Sequence, residues 1–194
     1  METLRGQLNA ECSHKMREET MDRFLGLMTP VEFKRNKEII AYGGLDGNIY
    51  VVKSGIARVA YFDGFKEMTF GFGLPGTLLI SYYPFTRGEP SFCKFEACCD
   101  TTVMKIAKAR FLHLLRQSQD FAEWMVFMSM EQLLFHEMKL RVVNGDAKER
   151  FESLIENRPE IIANVSARVI ASYIGITESY LSTLKKQFSE KSRK

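Results

Sequence analysis

The chain has 194 residues, of which 45% are hydrophobic and 12% aromatic, so it can bury a proper core as one large domain or two small ones. Its formal net charge is only +3, which excludes a polycation that binds nucleic acid over its whole surface. The N-terminus lacks the apolar core of a signal peptide, and no apolar run is long enough to span a bilayer. We therefore expect a cytoplasmic globular protein with no membrane partner.

The first region, residues 1–108, has the pattern of a β-barrel preceded by a short helix. Apolar residues at helical spacing between positions 16 and 28 predict an amphipathic helix, which Thr29-Pro30 ends. Runs rich in β-branched and aromatic residues follow at roughly 8–12-residue spacing, which favours a barrel or jelly roll. Asp63-Gly64 predicts a hairpin, because both residues tolerate a positive φ.

Cysteine and histidine usage gives no support to a metal, redox or enzymatic role. The four cysteines do not have the spacing of a zinc or iron–sulfur site, so we expect no cofactor. Jelly-roll metalloenzymes need clustered histidines inside the barrel. No histidine lies between His14 and His113, and the sequence therefore predicts that the protein is not an enzyme.

The second region, residues 109–145, has the pattern of a long helix of roughly 24 residues. Apolar residues recur along it at seven-residue spacing, and this wide apolar face favours a heptad-like seam against a second copy of the chain. A helix packed wholly within one chain is the alternative, and Glu131 interrupts the seam. The residues predicted for the dimer interface are Phe121, Trp124, Met128, Phe135 and Met138.

The third region, residues 146–194, contains a sequence typical of a helix-turn-helix. Asp146 is expected to cap a short helix, which Asn157-Arg158-Pro159 ends. In the segment ARVIASYIGITESYLSTLKK, the small Ala171 permits close contact between two helices, and Gly175 permits a positive φ in the turn. Thr177 can cap the second helix. Apolar residues at the required offsets close the space between the helices: Ile170, Ile174, Ile176, Leu181 and Leu184.

The exposed start of the second helix of such a motif points into the major groove of DNA. The predicted DNA-binding residues around that start are Thr177, Glu178, Ser179, Tyr180, Ser182 and Thr183. Candidates for contacts to phosphates are Ser166, Arg168, Lys185 and Lys186. Helix pairs with a glycine turn also occur as plain packing units, so a motif that does not bind DNA is the alternative.

This order of elements resembles the Crp/Fnr (cyclic-AMP receptor and fumarate-nitrate regulator) family of bacterial transcription regulators. The resemblance is carried by KRNKEIIAYGGLDGNIYVVKSGIARVAYFDGFKEMTFGFGLPGTLL and by IASYIGITESYLSTLKK. It implies an α+β fold: an N-terminal double-stranded β-helix (a cyclic-nucleotide-binding-like jelly roll) at 1–108, a long dimerisation helix within 109–145 and a winged helix-turn-helix at 146–194. It also implies a homodimer that binds a palindromic promoter site on double-stranded DNA, modulated by a small-molecule effector of the barrel.

The ligand cassette departs from the family pattern. Members that bind cyclic nucleotides carry a glutamate that holds the ribose and an arginine that neutralises the phosphate, where this sequence has Ser81 and Pro90. Because proline supplies neither a charge nor a backbone N–H, we predict no response to cyclic AMP. The residues that the alignment leaves for a different effector are Gly76, Ser81, Arg87 and Ser91.

The predicted recognition helix departs as well. Ser179 and Thr183 occupy positions where the family commonly presents Glu and Arg. Their hydroxyls can bond base edges but cannot form the bidentate arginine–guanine pair, worth about 1–3 kcal/mol, so we expect a site that is less anchored on G·C pairs. The chain ends shortly after the motif, which predicts a reduced wing. A ligand-sensing or protein-interaction barrel with a degenerate helix-turn-helix is the alternative function.

Overall fold

The computed structural model describes residues 2–143 and 146–191, with the side chains of residues 4–135, 137 and 146–188. The side chain of the predicted interface residue Met138 lies outside what it describes. The strands are β1 (Thr29–Phe33), β2 (Glu38–Ile40), β3 (Ile49–Ser54), β4 (Ala57–Phe62), β5 (Glu67–Gly73), β6 (Leu78–Ile80), β7 (Cys93–Ala97) and β8 (Thr101–Ile106). The helices are α1 (Glu2–Ala10), α2 (Glu18–Gly26), α3 (Tyr82–Thr86), α4 (Lys108–Gln117), α5 (Gln119–Val143), α6 (Ala147–Asn157), α7 (Pro159–Asn164), α8 (Ala167–Ile174) and α9 (Glu178–Lys191).

The eight strands form two four-stranded antiparallel sheets, with the orders β1-β8-β3-β6 and β2-β7-β4-β5. Alternation along β4 shows how the sequence positions the core: Ala57, Val59 and Tyr61 pack between the sheets, and Arg58 points the other way. The Asp63-Gly64 hairpin joins β4 to β5 as predicted, with φ of 96° at Gly64 and the Asp63 carboxylate accepting two backbone N–H groups. The predicted jelly-roll barrel is confirmed.

Helices α1, α2, α4 and α5 cover the outer face of the first sheet. The predicted amphipathic helix is confirmed as α2, and its Met21, Phe24 and Leu25 are buried. The Phe24 ring lies 4.9 Å from the ring of Phe121 and 5.9 Å from that of Trp124, centroid to centroid. The N-terminal helices and α5 therefore share one core with the barrel.

This packing corrects the predicted dimer interface. Phe121, Trp124 and Met128 are 0%, 0% and 2% exposed within a single chain, so they cannot form a seam with another copy. The backbone N–H of Ser13 donates to the Glu131 carboxylate at 3.3 Å, so this face of α5 meets the loop between α1 and α2. The residues at heptad spacing are buried, but the protein's own N-terminal segment buries them and not a second copy of the chain.

A different face of α5 is exposed and apolar. Val126, Met130 and Leu133 are 52%, 57% and 66% exposed at i, i+4 and i+7 spacing, roughly half a turn around the helix from Trp124. We call these three residues the α5 outer stripe. The predicted interface residue Phe135, 43% exposed, lies seven residues after Met128, on the same side of the helix as Trp124.

Helices α6 to α9 build the C-terminal part. Asp146 caps α6 as predicted and forms a capping box with Glu149, and α6 ends at Asn157, before the predicted proline stop. Residues 107–143 and 146–191 contain no β-strand, so the wing that the resemblance implied is absent from this part of the chain. A shared apolar cluster joins these helices to the barrel through Ile56, Leu74 and Cys98.

Candidate nucleic-acid interface and ligand site

Helices α8 and α9 form the predicted helix pair, joined by a tight turn at Gly175. This glycine has φ of 76° and ψ of 35°, in the left-handed region that β-carbons disfavour. Ala171, 2% exposed, lies where the helices meet, and Leu181 and Leu184 are buried against it. The Thr177 hydroxyl accepts a hydrogen bond from the Tyr180 backbone N–H at 3.3 Å. The turn and the cap therefore have the conformations that the sequence predicts.

The predicted DNA-binding side chains lie on the surface around this turn. On α9, Ser179, Ser182, Thr183 and Lys186 follow i, i+3, i+4 and i+7 spacing, so they share one exposed face, opposite the buried leucines. Lys185 is half-buried. The other predicted residues are exposed: Ser166, Arg168, Thr177, Glu178 and Tyr180.

Two hydroxyls of this face make local hydrogen bonds. The Thr183 hydroxyl donates to the Ser179 carbonyl oxygen at 3.3 Å, and the hydroxyls of Thr177 and Ser179 lie 3.1 Å apart. With its proton directed to the backbone, the Thr183 hydroxyl offers an acceptor to the solvent side. In the major groove, the amino groups of adenine and cytosine are donors that match such an acceptor.

Helix α8 is joined to the edge strand β5 of the barrel. The Ser172 hydroxyl accepts from the Thr69 backbone N–H at 2.8 Å and donates to the Glu67 carbonyl oxygen at 3.3 Å. The rings of Phe72 and Tyr173 pack with centroids 5.0 Å apart. We call this contact the β5–α8 joint. Sequence reasoning missed it, because a lone serine in a helix gives no signal of a distant strand partner.

A salt-bridge network lies on the same sheet, beside the joint. It consists of Arg58, Glu67, Lys94 and Glu96: Arg58 bonds both glutamates, and Lys94 lies 2.6 Å from Glu67 and 2.7 Å from Glu96. Burial alone would raise the pKa of Glu67, but Lys94 and Arg58 outweigh it and hold that pKa below its ordinary value of 4.5. Charged residues within otherwise apolar strands were the available signal for this network.

The predicted ligand residues are only partly brought together. Ser81 and Ser91 are each 2% exposed, with their hydroxyl oxygens 2.6 Å apart. The Ser91 hydroxyl donates to the Cys93 carbonyl oxygen at 2.6 Å, so Ser81 is the donor within the serine pair. The exposed Arg87 lies over the Tyr83 ring, 5.4 Å from its centroid. The ligand role of Arg87 therefore stays a prediction, and its side chain stacks on an exposed ring.

Gly76, the remaining predicted ligand residue, contacts helix α1. It has φ of 100°, and a β-carbon at this position would lie 2.7 Å from the Gln7 carbonyl oxygen. Gly76 is thus required for the approach of α1 to the barrel.

These residues do not fit a cyclic nucleotide. Among the described residues, the hydrogen-bond partners of the serine pair are each other and Cys93, and none is cationic. Burial raises the pKa of the Cys93 thiol, which leaves it neutral. A cyclic phosphate would enter this site without a counter-charge, and that is costly in a buried position.

A cavity of about 530 Å³ lies elsewhere, between the barrel and helices α1, α5, α6 and α8. None of the four predicted ligand residues lines it. Within the described ranges, no group of three or more His, Cys, Asp or Glu side chains is arranged to hold a metal ion. None of the helices in the described part of the chain has the length and apolar character to cross a membrane.

Comparison with known proteins gives a domain match and a fold. A family model for the cyclic nucleotide-binding domain matches residues 30–118. No curated protein matches the chain significantly.

Solved structures with the same fold cover most of the chain. FixK2 from Bradyrhizobium japonicum is 18% identical with a TM-score of 0.71, over 85% of this chain and 86% of that one. The c-di-GMP responsive global regulator CLP from Xanthomonas campestris is 16% identical with a TM-score of 0.69, over 91% of this chain and 93% of that one. The catabolite activator protein of Thermus thermophilus is 18% identical with a TM-score of 0.58, over 96% and 88%. The resemblance to the Crp/Fnr family is confirmed as one of fold: residues 30–118 match the cyclic nucleotide-binding domain model, and most of the chain has the fold of these solved proteins.

Proposed function

We propose that the protein is a transcription regulator that binds a palindromic site on double-stranded DNA as a homodimer. The observation that carries this proposal is the exposed polar face of α9, which begins directly after the Gly175 turn and is backed by the buried Leu181 and Leu184. A helix held in this way can enter the major groove with its first turns. Arg168 and Lys186 lie beside this face and supply cations for phosphates.

The α5 outer stripe supports the homodimer. Three large apolar side chains in a row on a long helix are a surface that another copy of the same helix can bury. A two-fold axis along α5 would present two α9 helices to one duplex, which is why we propose a palindromic site.

The chemistry of α9 indicates what kind of sequence it reads. Ser179, Ser182 and Thr183 offer hydroxyls and one methyl group, and the Thr183 hydroxyl presents its acceptor outward. These groups suit the amino group of adenine and the methyl group of thymine. We therefore propose an operator whose contacted positions are rich in A·T pairs.

The barrel is proposed to modulate DNA binding without cyclic AMP. Ser81 and Ser91 satisfy each other, and Arg87 lies on the surface, so the phosphate would lack its counter-charge. An effector of a different class would act on α8 and α9 through the β5–α8 joint, whose hydrogen bonds connect the two parts.

Selection of bound duplexes from a random library tests this function. The purified protein is incubated at a stated salt concentration, with and without cyclic AMP, and the Kd of the enriched duplex is compared with that of a scrambled duplex. We expect an inverted repeat that binds at least about 1,000-fold more tightly than the scrambled duplex, the lower end of the usual range of specific DNA binding, and no effect of cyclic AMP.

The Thr183→Ala variant is the matched check on base reading, since it removes one hydroxyl from the exposed face and leaves every phosphate candidate in place. It should weaken binding to the selected duplex and leave binding to the scrambled duplex unchanged. Equal Kd values of the intact protein for the selected and scrambled duplexes would contradict the proposal. The degenerate motif on a ligand-sensing or protein-interaction barrel would then be the better account.

A further inference from the structure

The tip of the β4–β5 hairpin lies beside the turn between α8 and α9, although 100 residues or more separate them in sequence. A cleft of about 260 Å³ separates the two elements, and we call it the hairpin cleft. Its lining on the barrel side is Lys66, Glu67 and Met68, and on the helix side Arg168, Ala171, Ser172, Gly175, Ile176, Thr177 and Glu178. One element of the barrel therefore borders the start of the proposed recognition helix.

The β5–α8 joint fixes this arrangement. Ser172 bonds the backbone of β5 at Glu67 and at Thr69, and Glu67 is directly next to Lys66 in the strand. The salt-bridge network holds the Glu67 side chain from the other side. The position of the hairpin relative to α8 is thus set by hydrogen bonds and ion pairs at the base of the tip.

The charges of the hairpin cleft favour an anion. The Glu67 carboxylate is engaged by Arg58 and Lys94 in the salt-bridge network, so the lining otherwise contributes Lys66, Arg168 and the single acid Glu178. Among the described residues, no salt bridge involves Lys66 or Arg168. Two cations from two different elements therefore face one opening, and neither of them is held in a salt bridge.

The tip itself is open to a partner. Phe65 is 98% exposed, so none of the residues that the structure describes covers the hairpin where it projects. The Asp63 carboxylate accepts the backbone N–H groups of Phe65 and Lys66 and so shapes the turn. These hydrogen bonds and, to a smaller extent, the Lys66 charge lower the pKa of Asp63, which forms no salt bridge with Lys66.

We propose that the β4–β5 hairpin is a second DNA-contacting element, in which Lys66 and Arg168 contact neighbouring backbone phosphates at the flank of the recognition helix. The inference rests on the proposed function and deepens it, because it assigns to the barrel a direct contact with the DNA. It also supplies a contact outside the helix pair in a chain whose residues 107–143 and 146–191 contain no wing strand.

The salt dependence of DNA binding tests this contact. Each phosphate contact contributes about 0.9 to the slope of log K against log salt, so Lys66→Gln should lower the magnitude of the slope by about 1.8 in a homodimer. Between 50 and 200 mM KCl, the unmodified protein should then lose about 12-fold more affinity than the variant. Both the selected and the scrambled duplex should show this change.

The matched control is Lys15→Gln, which removes an exposed lysine from the loop between α1 and α2, beside the other sheet. It should leave the slope unchanged. Phe65→Lys adds a cation at the tip and should increase the magnitude of the slope. Because this variant should gain a contact, a loss of stability cannot produce the expected result.

An unchanged slope and Kd in Lys66→Gln would overturn the inference and leave the proposed function intact. Tighter binding by Lys66→Gln would also overturn it, since the hairpin would then obstruct DNA. If the unmodified protein bound no duplex specifically, the proposed function and this inference would fail together, and that result is distinct from the other two.

Discussion

At the scale of single residues, Gly175 and Thr177 set the geometry on which the proposed function depends. Gly175 reverses the chain with a positive φ, and its surroundings leave open space where a β-carbon would be. Glycine is therefore required at this position by the backbone conformation and not by a lack of space for a side chain. Thr177 then satisfies a backbone N–H in the first turn of α9. Both residues were predicted from the sequence, because turns and caps depend on local chemistry.

Replacement of the cap should destabilise α9. Thr177→Ala removes the acceptor for the Tyr180 N–H and should lower the free energy of unfolding by about 1 kcal/mol. Thr177→Ser keeps the acceptor and should remain within about 0.5 kcal/mol of the unmodified protein. Urea unfolding followed by circular dichroism measures both. Equal losses in the two variants would show that the hydroxyl does not act as a cap.

At the scale of elements, α5 shows why sequence periodicity can give the right helix and the wrong partner. Its length and apolar pattern were predicted, and α5 is a 25-residue helix. The pattern indicates only that Phe121, Trp124 and Met128 are buried. It does not indicate which part of the molecule packs against them. Packing against α1 and α2 depends on contacts about 100 residues apart in sequence, which a periodicity cannot show. The α5 outer stripe has the same seven-residue span as the buried set, so periodicity alone could not tell which of the two faces the chain itself covers.

Charge on the α5 outer stripe should dissociate the proposed homodimer. Leu133→Glu, alone or with Met130→Glu, places carboxylates where two copies would bury apolar side chains, and burial of unpaired charge is strongly unfavourable. Light scattering should give about twice the 22.4 kDa chain mass for the unmodified protein and the chain mass for the variants.

The matched control is Leu45→Glu. Leu45 is 66% exposed, the same fraction as Leu133, but it lies in a barrel loop. It should leave the mass doubled. A monomeric unmodified protein at micromolar concentration would contradict the proposed assembly, and dissociation by Leu45→Glu would show that the effect is not specific to α5.

At the scale of the whole molecule, the barrel and the C-terminal helices are in contact at two separate places. The apolar cluster around Ile56, Leu74 and Cys98 joins them at one end of the barrel, and the β5–α8 joint joins them along an edge strand. The sequence predicted each part, since strands, turns and the helix pair carry local signals. It could not predict the joint or the hairpin cleft, because a hydroxyl at Ser172 and a lysine at Lys66 are ordinary surface residues until the fold brings them together.

The salt-bridge network makes this assembly sensitive to acid. Because Lys94 and Arg58 hold the pKa of Glu67 below 4.5 in the folded chain, its ionised form stabilises the fold at any pH above that ordinary value. The contribution is lost as the pH falls from 4.5 through the lowered pKa. Urea midpoints measured from pH 7 to pH 3 should therefore decrease steeply below pH 4.5.

Glu67→Gln should reduce this decrease and should cost about 1–3 kcal/mol at pH 7, because Arg58 and Lys94 lose a charged partner. Glu38→Gln, at an exposed position at the start of β2, is the control and should change neither quantity. A steep acid transition that persists in Glu67→Gln would assign it to other carboxylates.

The β5–α8 joint has a consequence for the solubility of the barrel. Strand β5 is the last strand of its sheet, and unpaired peptide groups at such a border invite strands of other molecules to add on. The Ser172 hydroxyl engages two of these groups, at Thr69 and Glu67, and the helix itself covers the border. The C-terminal helices thus shield the barrel from self-aggregation, and we expect a fragment cut after α5 to expose the border and to precipitate where the whole chain stays dispersed.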